Sequence, residues 1–271
     1  MSEINEFNAE VVNNVNAAGM DKELLEETHI WLTKALKHNY THNFKWLGRP
    51  VIQIPQDAYV VQELVWDIKP DLIIETGIAH GGSLILSASM LALLDYCDAI
   101  EQGQTLNPKA SNRLVVGIDI DIRSHNREAI EAHPMNHLIK MVEGSSISPE
   151  VIDRVQEIAG SYQKILVFFD SNHTHDHVIA ELKAYAPLTS VGSYCVVWDS
   201  GVEDMPGDLF NSRPWGKGNN PKTAVFEYLR ELGENVKSGK ESSTIKFEID
   251  KFIESKIMLT SARDGFLKRV R

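Results

Sequence analysis

Residues 72–83 read Leu-Ile-Ile-Glu-Thr-Gly-Ile-Ala-His-Gly-Gly-Ser, and an apolar stretch, Ser83 to Tyr96, follows directly. A short apolar run that stops at an acid and a glycine-rich turn is how a buried strand hands over to a helix. The same sentence is repeated downstream. Leu114–Ile118 ends in Asp119, Leu138–Val142 is followed by Gly144-Ser145-Ser146, Ile165–Phe169 ends in Asp170, and Tyr194–Trp198 ends in Asp199. Helices fit between them at Ile122–Ala132, Pro149–Gly160 and His175–Tyr185. The runs are apolar almost throughout, as strands are when helices cover both faces of a sheet. The alternation predicts a doubly wound, mainly parallel α/β sheet of the Rossmann type with right-handed crossovers.

Working outward, residues 1–45 read as amphipathic helix, with Leu24, Leu25, Ile30, Leu32 and Leu36 near helical spacing. Phe44–Pro55 reads as irregular, and Asp57 as the N-cap of a helix that buries Val60, Leu64 and Ile68. Asp98–Arg113 reads as a polar surface loop. At the far end, Lys256–Thr260 and Phe266–Val270 flank Ser-Ala-Arg-Asp-Gly and predict an antiparallel hairpin. The division expected is an N-terminal helical extension, residues 1–56, and a cofactor domain, residues 57–271.

The chain has 271 residues, 43% of them hydrophobic, so its core needs no metal or disulfide to hold it. Its formal charge is −11 and no run of lysine or arginine forms a basic stripe, which argues against nucleic acid as a partner. Cys97 and Cys195 lie far apart without zinc or redox spacing and read as reduced thiols. The polar, acidic start lacks the zones of a signal peptide, and Ser83–Tyr96 is short for a bilayer. A cytoplasmic protein without membrane attachment is expected, with the N-terminal helices as candidates for homo-oligomer contacts.

In open α/β sheets, ligands bind outside the carboxyl ends of the strands. Glu75, Asp119, Asp170 and Asp199 all fall there, and four acids at one crevice need water, a partner or a ligand. The loop spacing is G-x-x-x-G, without the second glycine that lets a dinucleotide's pyrophosphate approach, and with no acid at the expected distance of about 20 residues. Close packing of strand on helix would explain such a loop equally simply. With its acid, however, the E-x-G-x-x-x-G loop resembles the first motif of class I methyltransferases. That resemblance implies S-adenosylmethionine, its methionine part against Glu75, Thr76, Gly77, Gly81 and Ser83, its ribose on Asp119, its adenine beside Ser145 and Ser146, and its sulfonium near Asp170.

A closer resemblance is carried by several longer stretches. They are WLGRPVIQIPQDAYVVQELVWDIKPDLIIETG (46–77), IIETGIAHGGSLILSASML (73–91), VVGIDIDIR (115–123), EGSSISPEV (143–151), FFDSNHTHDHVIAELKAYAPLTSVGSYCVV (168–197) and LTSARDGFLKRV (259–270). Together they resemble the cephalosporin hydroxylase family from about Trp46 onward. Despite its name, that family is similar to methyltransferases in fold and cofactor site, and it includes sugar O-methyltransferases. The resemblance implies transfer of a methyl group from S-adenosylmethionine to a hydroxyl of a small polar acceptor such as a sugar or glycoside. It also implies a divalent cation, usually magnesium, held by an Asp after the fourth strand and a Glu-Asp pair after the fifth. The first matches Asp170 and the last Asp199, while Trp198 stands where the Glu would be.

The segment after the fourth strand, Asp170-Ser171-Asn172-His173-Thr174-His175-Asp176-His177, carries the remaining chemistry. Asp170 is the first candidate for metal ligand or base, and His173 the second for the base, since imidazole titrates near neutrality. His177 lies one helical turn beyond His173. Zinc hydrolysis is opposed by the missing Glu of HExxH, whereas Asp170, His173 and His177 imitate an iron triad on paper. Glu203 and Asp204 are the acids that can replace the missing ligand, and the alternative is a chain that binds no metal and uses a protein base alone. Arg213–Lys222 reads as a lid in which Lys217 and Lys222 meet an acceptor's phosphate or carboxylate and Trp215 stacks on a sugar. A scaffold that binds the cofactor without catalysis, and a nicotinamide oxidoreductase, stay open as other readings.

Overall fold

The computed structural model describes residues 3–238 and 245–271. Two helices come first, α1 (Glu3–Met20) and α2 (Lys22–Leu36), the second capped by Asp21, whose side chain accepts the Leu24 N–H at 3.0 Å. After a 3₁₀ turn at Tyr40–Asn43, β1 (Phe44–Trp46) and β2 (Arg49–Val51) pair as an antiparallel hairpin. The sequence reading made this segment irregular. Its turn is Leu47-Gly48, both at positive φ, and leucine is not a residue that announces left-handed backbone.

Helix α3 (Pro55–Ile68) starts with Pro55 in its first turn and Ile54 as N-cap, so Asp57 is not the cap. Proline at this place has the right φ and no N–H to lose. Asp57 sits within the first turn, buried, and accepts the Ser261 N–H at 2.9 Å across 204 residues of chain.

The remaining elements are β3 (Leu72–Thr76), α4 (Gly82–Glu101), β4 (Leu114–Asp119), α5 (Ser124–Glu131), β5 (Ile139–Glu143), α6 (Pro149–Ala159), β6 (Ile165–Phe169), α7 (His175–Tyr185), β7 (Tyr194–Val197), α8 (Pro221–Ser238), β8 (Phe247–Ile249), α9 (Lys251–Ile257) and β9 (Phe266–Arg269). Seven strands form one sheet in the order β5-β4-β3-β6-β7-β9-β8, and the first five run parallel. Strand residues alternate between faces. Ile73, Val115, Leu166 and Val196 pack under α3 and α4, while Leu72, Ile74, Val116 and Val167 pack under α6, α7 and α8. Helix α4 is long and apolar enough to cross a membrane by composition, but Leu84, Ile85, Ala88 and Leu91 are buried on the sheet, so its apolarity serves the core. It runs into the segment read as a loop, ending at Glu101.

The C-terminal antiparallel pair exists with a different first arm. Lys256 and Ile257 close α9, and β9 pairs instead with β8 on one side and β7 on the other. The chain therefore returns to lay its last strand between two earlier ones. Between β3 and β6 the strand order reverses direction, which opens a crevice at their carboxyl ends. There the Asp170 N–H donates to the Thr76 carbonyl at 2.9 Å, joining the ends of both strands.

Candidate active site

The loop after β3 is shaped by backbone that side chains resist. Gly77 has φ +91°, its N–H donates to the Ile118 carbonyl at 2.7 Å, and a Cβ there would stand 2.0 Å from the Asp170 carbonyl oxygen. Ala79 also has positive φ, an unusual conformation for a residue with a Cβ. What holds it is a ring of partners. Asp119 Oδ2 accepts the N–H groups of Ile78 (2.8 Å) and Ala79 (3.2 Å), Asn126 Nδ2 donates to the Ala79 carbonyl (2.9 Å), and Arg49 Nε donates to the His80 carbonyl (2.9 Å). Arg49 and Asn126 also meet each other at 3.0 Å. Neither was legible from spacing, because they come from the β hairpin and from α5.

Three hollows line up along this loop, and Ala79 borders each. A recess of about 350 Å³ lies beside Asp119, with Ile120, Asp121, Arg123 and Asn126. A narrow gap of about 40 Å³ follows, between Gly77, Ser83, Gln53 and Asp170. Beyond it a cleft of about 390 Å³ holds Asp170, His173 and Asp199 on one wall. Asp170 thus touches both the gap and the cleft. So does Gln53, a buried amide whose Oε1 has no hydrogen-bond partner. Its signal was the single polar residue inside Val51-Ile52-Gln53-Ile54, which the reading passed over.

The other loop residues lie at differing depths. Gly81, also at positive φ, caps α4 against Ile130, and Ser83 faces the gap. Glu75 is buried beneath the loop, accepting the Ser87 hydroxyl, and burial pushes its carboxyl up to about 7. Thr76 is fully buried between the strand ends. Ser145 is half-buried, its carbonyl accepting the Ser148 N–H at 3.0 Å. Ser146 is buried, with its Oγ 3.0 Å from His177 Nε2 and its carbonyl accepting the Tyr185 hydroxyl.

Asp170, His173 and Asp199 converge, one ligand-type atom of each lying within 4.8 Å of the others. His173 Nε2 stands 3.3 Å from Asp199 Oδ2, and the edge of Trp215 braces the imidazole at 4.8 Å between ring centroids. Asp199 has φ +54°, a conformation aspartate tolerates and most residues do not. Burial first, then the charges of Asp199 and Glu75, hold the Asp170 carboxyl well above the usual carboxylate range. Among the described residues no lysine or arginine forms an ion pair with Glu75, Asp119, Asp170 or Asp199. A cation at this point would relieve that repulsion.

Several sequence expectations end elsewhere. His177 turns to Ser146 and Glu181, away from the cleft, which dissolves the iron triad. His175 ties α7 to Thr223 of α8. Lys222 is buried in ion pairs with Asp204 (2.5 Å) and Asp264 (2.9 Å), so it is spoken for and does not await an acceptor's anion. Glu203 accepts the Gly218 N–H at 2.7 Å and the Asn220 amide, and with Asp204 held by Lys222 both acids expected to replace the missing ligand are occupied. Trp198 is buried against Phe168 and Phe266, with no donor atom for a metal.

The opposite wall of the cleft is apolar: Leu32 and Leu36 from α2, Ile54, and Met205, Leu209 and Phe210 from the segment after β7. Asn39, His42 and Arg213 add polar groups at its margin. The recess and gap along the loop leave space for one ligand and the cleft beside Asp170 for another. For the first, Asp119 carries three N–H donors, counting Asp121 at 3.1 Å, of about four that a carboxylate can accept, so one position remains for a hydroxyl.

Residues 38–270 match the family model described as Rhamnosyl O-methyltransferase/CmcI. A rhamnosyl O-methyltransferase of Mycobacterium bovis (strain BCG / Pasteur 1173P2) is 28% identical over 251 residues, 90% of this chain and 84% of the relative. The protein of the same name from Mycobacterium leprae (strain TN) is 27% identical over 247 residues, covering 91% and 90%. A solved structure of CmcI with Mg and SAM superimposes with a TM-score of 0.50 and 17% identity, over 85% of this chain and 78% of that one, which supports the fold. The resemblance carried by residues 46–270 is thereby borne out: the chain belongs to the Rhamnosyl O-methyltransferase/CmcI family.

Proposed function

We propose that this protein transfers the S-methyl group of S-adenosylmethionine to a hydroxyl of a small sugar-bearing acceptor seated in the 390 Å³ cleft. As a member of its family it is an S-adenosylmethionine-dependent O-methyltransferase. The observation that carries the reading is the uncompensated carboxylate group at the junction of gap and cleft. Asp170 borders both spaces, so a donor's positive sulfonium in one and an acceptor's hydroxyl in the other would meet beside it. The relatives' printed names supply the sugar, and the CmcI structure supplies magnesium as the first ion to try.

When bound, S-adenosylmethionine supplies a methyl carbon already attached to a good leaving group. The chain's own task is to align and deprotonate the acceptor oxygen. The loop Gly77–Gly81 would hold the donor, with Asp119 accepting from a ribose hydroxyl, and so position it beside the cleft. Positioning of this kind is worth several kcal/mol, about 7 or more at best. Asp170, with His173 and Asp199 facing it, receives the acceptor hydroxyl and removes its proton as the C–O bond forms and the C–S bond breaks. A divalent cation would be held by one carboxylate oxygen each of Asp170 and Asp199, neither of which pairs with a lysine or arginine among the described residues, and would lower the hydroxyl's pKa. The apolar wall formed by Leu32, Ile54 and Met205 excludes water, the competing nucleophile, and suits the carbon skeleton of the acceptor. Two free cysteines, one buried and one half-buried, fit a reducing, cytoplasmic setting.

Calorimetric titration with S-adenosylmethionine, S-adenosylhomocysteine and NAD tests the donor. The sulfonium compounds bind and NAD does not. Release of S-adenosylhomocysteine is then measured over a panel of rhamnosides and other glycosides. Tight binding of NAD alone would overturn the assignment.

A further inference from the structure

We propose that Asp170, His173 and Asp199 form a single divalent-cation site in which the His173 imidazole is a ligand, and that this nitrogen turns the site away from magnesium toward first-row transition ions. The inference deepens the methyl-transfer reading, and rests on it for the site's purpose but not for its affinity.

Geometry comes first. Two ligand atoms bound to one ion at about 2.1 Å and at right angles stand about 3 Å apart. His173 Nε2 and Asp199 Oδ2 stand 3.3 Å apart, and a carboxylate oxygen of Asp170 completes a cluster within 4.8 Å. Small side-chain adjustments bring three such atoms onto a common ion. The Asp170 carboxylate accepts no hydrogen bond from the described residues, although Asp170 lines three hollows at the heart of the crevice. A half-buried carboxylate without a donor lacks what normally offsets its desolvation. Trp215 packs edge-on against His173 and limits its ring rotation, so the imidazole is held toward the two acids.

Elimination fixes the donor set. The other acids nearby each hold a partner through at least one oxygen, Glu75 with Ser87, Asp57 with Ser261, Glu181 with Ser171, Glu203 with Gly218 and Asn220, and Asp204 with Lys222 and Arg263, and among the described residues only Asp170, His173 and Asp199 bring ligand atoms within 4.8 Å of one another. Trp198, beside Asp199, lies in the aromatic core. The protein therefore offers one nitrogen and two carboxylates. Magnesium prefers oxygen throughout and keeps several waters, whereas an imidazole favours ions later in the first transition row. Affinity for a mixed site of this type rises from manganese to cobalt.

The test uses the full-length protein stripped of metal. Mg²⁺, Mn²⁺ and Co²⁺ are titrated by calorimetry, Mn²⁺ also by electron paramagnetic resonance and Co²⁺ by its visible absorption, with S-adenosylmethionine titrated in parallel without metal. Mn²⁺ is expected to bind about tenfold more tightly than Mg²⁺, and Co²⁺ more tightly again. His173→Ala should weaken Co²⁺ by about tenfold or more and collapse the Co²⁺/Mg²⁺ ratio. His173→Asp, which keeps three ligands but makes them all oxygen, should shift preference back toward Mg²⁺. A ratio unchanged in both variants, or no metal binding at all by a protein that binds S-adenosylmethionine, overturns the proposal and leaves methyl transfer standing. Metal binding in the expected order without any S-adenosylmethionine binding upholds the site and removes the methyl-transfer reading.

Discussion

A methyl group added at residue 77 would have nowhere to go, since the space is filled by the Asp170 carbonyl and the backbone φ is +91°. Gly77→Ala should therefore lower stability by about 1–3 kcal/mol in urea unfolding and abolish donor binding in calorimetry. Normal donor affinity would show that the loop need not take this shape. Asp170→Asn keeps the size and removes the charge, so turnover should fall by about 100-fold or more while donor affinity shifts little. A fall in affinity alone would make Asp170 a binding group. Asp57 offers a pH lever. Burial raises its carboxyl from the ordinary aspartate value of 3.8 to about 7, so the folded chain keeps a proton that the unfolded chain releases. Stability should accordingly decline as pH rises from about 4 to 7 and level off above, by a few kcal/mol on the order of 1.4 per unit. Asp57→Asn, which retains an acceptor for the Ser261 N–H, should flatten that slope in unfolding midpoints taken at pH 5 and pH 8. At this scale the sequence revealed what local pattern encodes: Asp119, Asp170, His173 and Asp199 follow strands at predictable places. Arg49, Gln53 and Asn126 stayed hidden because their partners are set by the meeting of distant segments.

Elements were legible in proportion to their burial. β6 and α7 have the bounds read from sequence, since an unbroken apolar run and a helix start after Asn172-His173-Thr174 leave little choice. The β1–β2 hairpin and β8 were missed. They are three residues long, and pairing rather than composition makes them strands. The segment between β7 and α8 reads as two spare acids and a lid, yet its charges form a clasp. Lys222 at the start of α8 reaches both Asp204 and Asp264, and Asn220 reaches Glu203. Because Lys222 is buried, Lys222→Ala leaves Asp204 only its longer pair with Arg263 and Asp264 only its pair with Lys251, and should cost about 3 kcal/mol in chemical denaturation, the low end for a broken buried pair. A cost under about 1 kcal/mol would mean the pairs are solvated.

Across the whole molecule, the proposed function divides donor and acceptor between different parts of the chain. The recess assigned to the donor follows β3 and β4, while the cleft assigned to the acceptor takes a wall from α2, far to the N-terminal side. Leu32→Asp should thus raise the acceptor KM by about tenfold or more, through one lost apolar contact and a buried charge, and leave donor affinity unchanged. Equal losses for both ligands would show that α2 supports the fold generally. The position of β9 has a consequence for synthesis. β7 presents a bare hydrogen-bonding edge until Phe266–Arg269 arrives, and β8 has no neighbour without it. A ribosome delivers that strand after every other, so the nascent sheet waits with its edge open, and a chain stalled before Phe266 would offer that edge to whatever unfinished protein lies nearby.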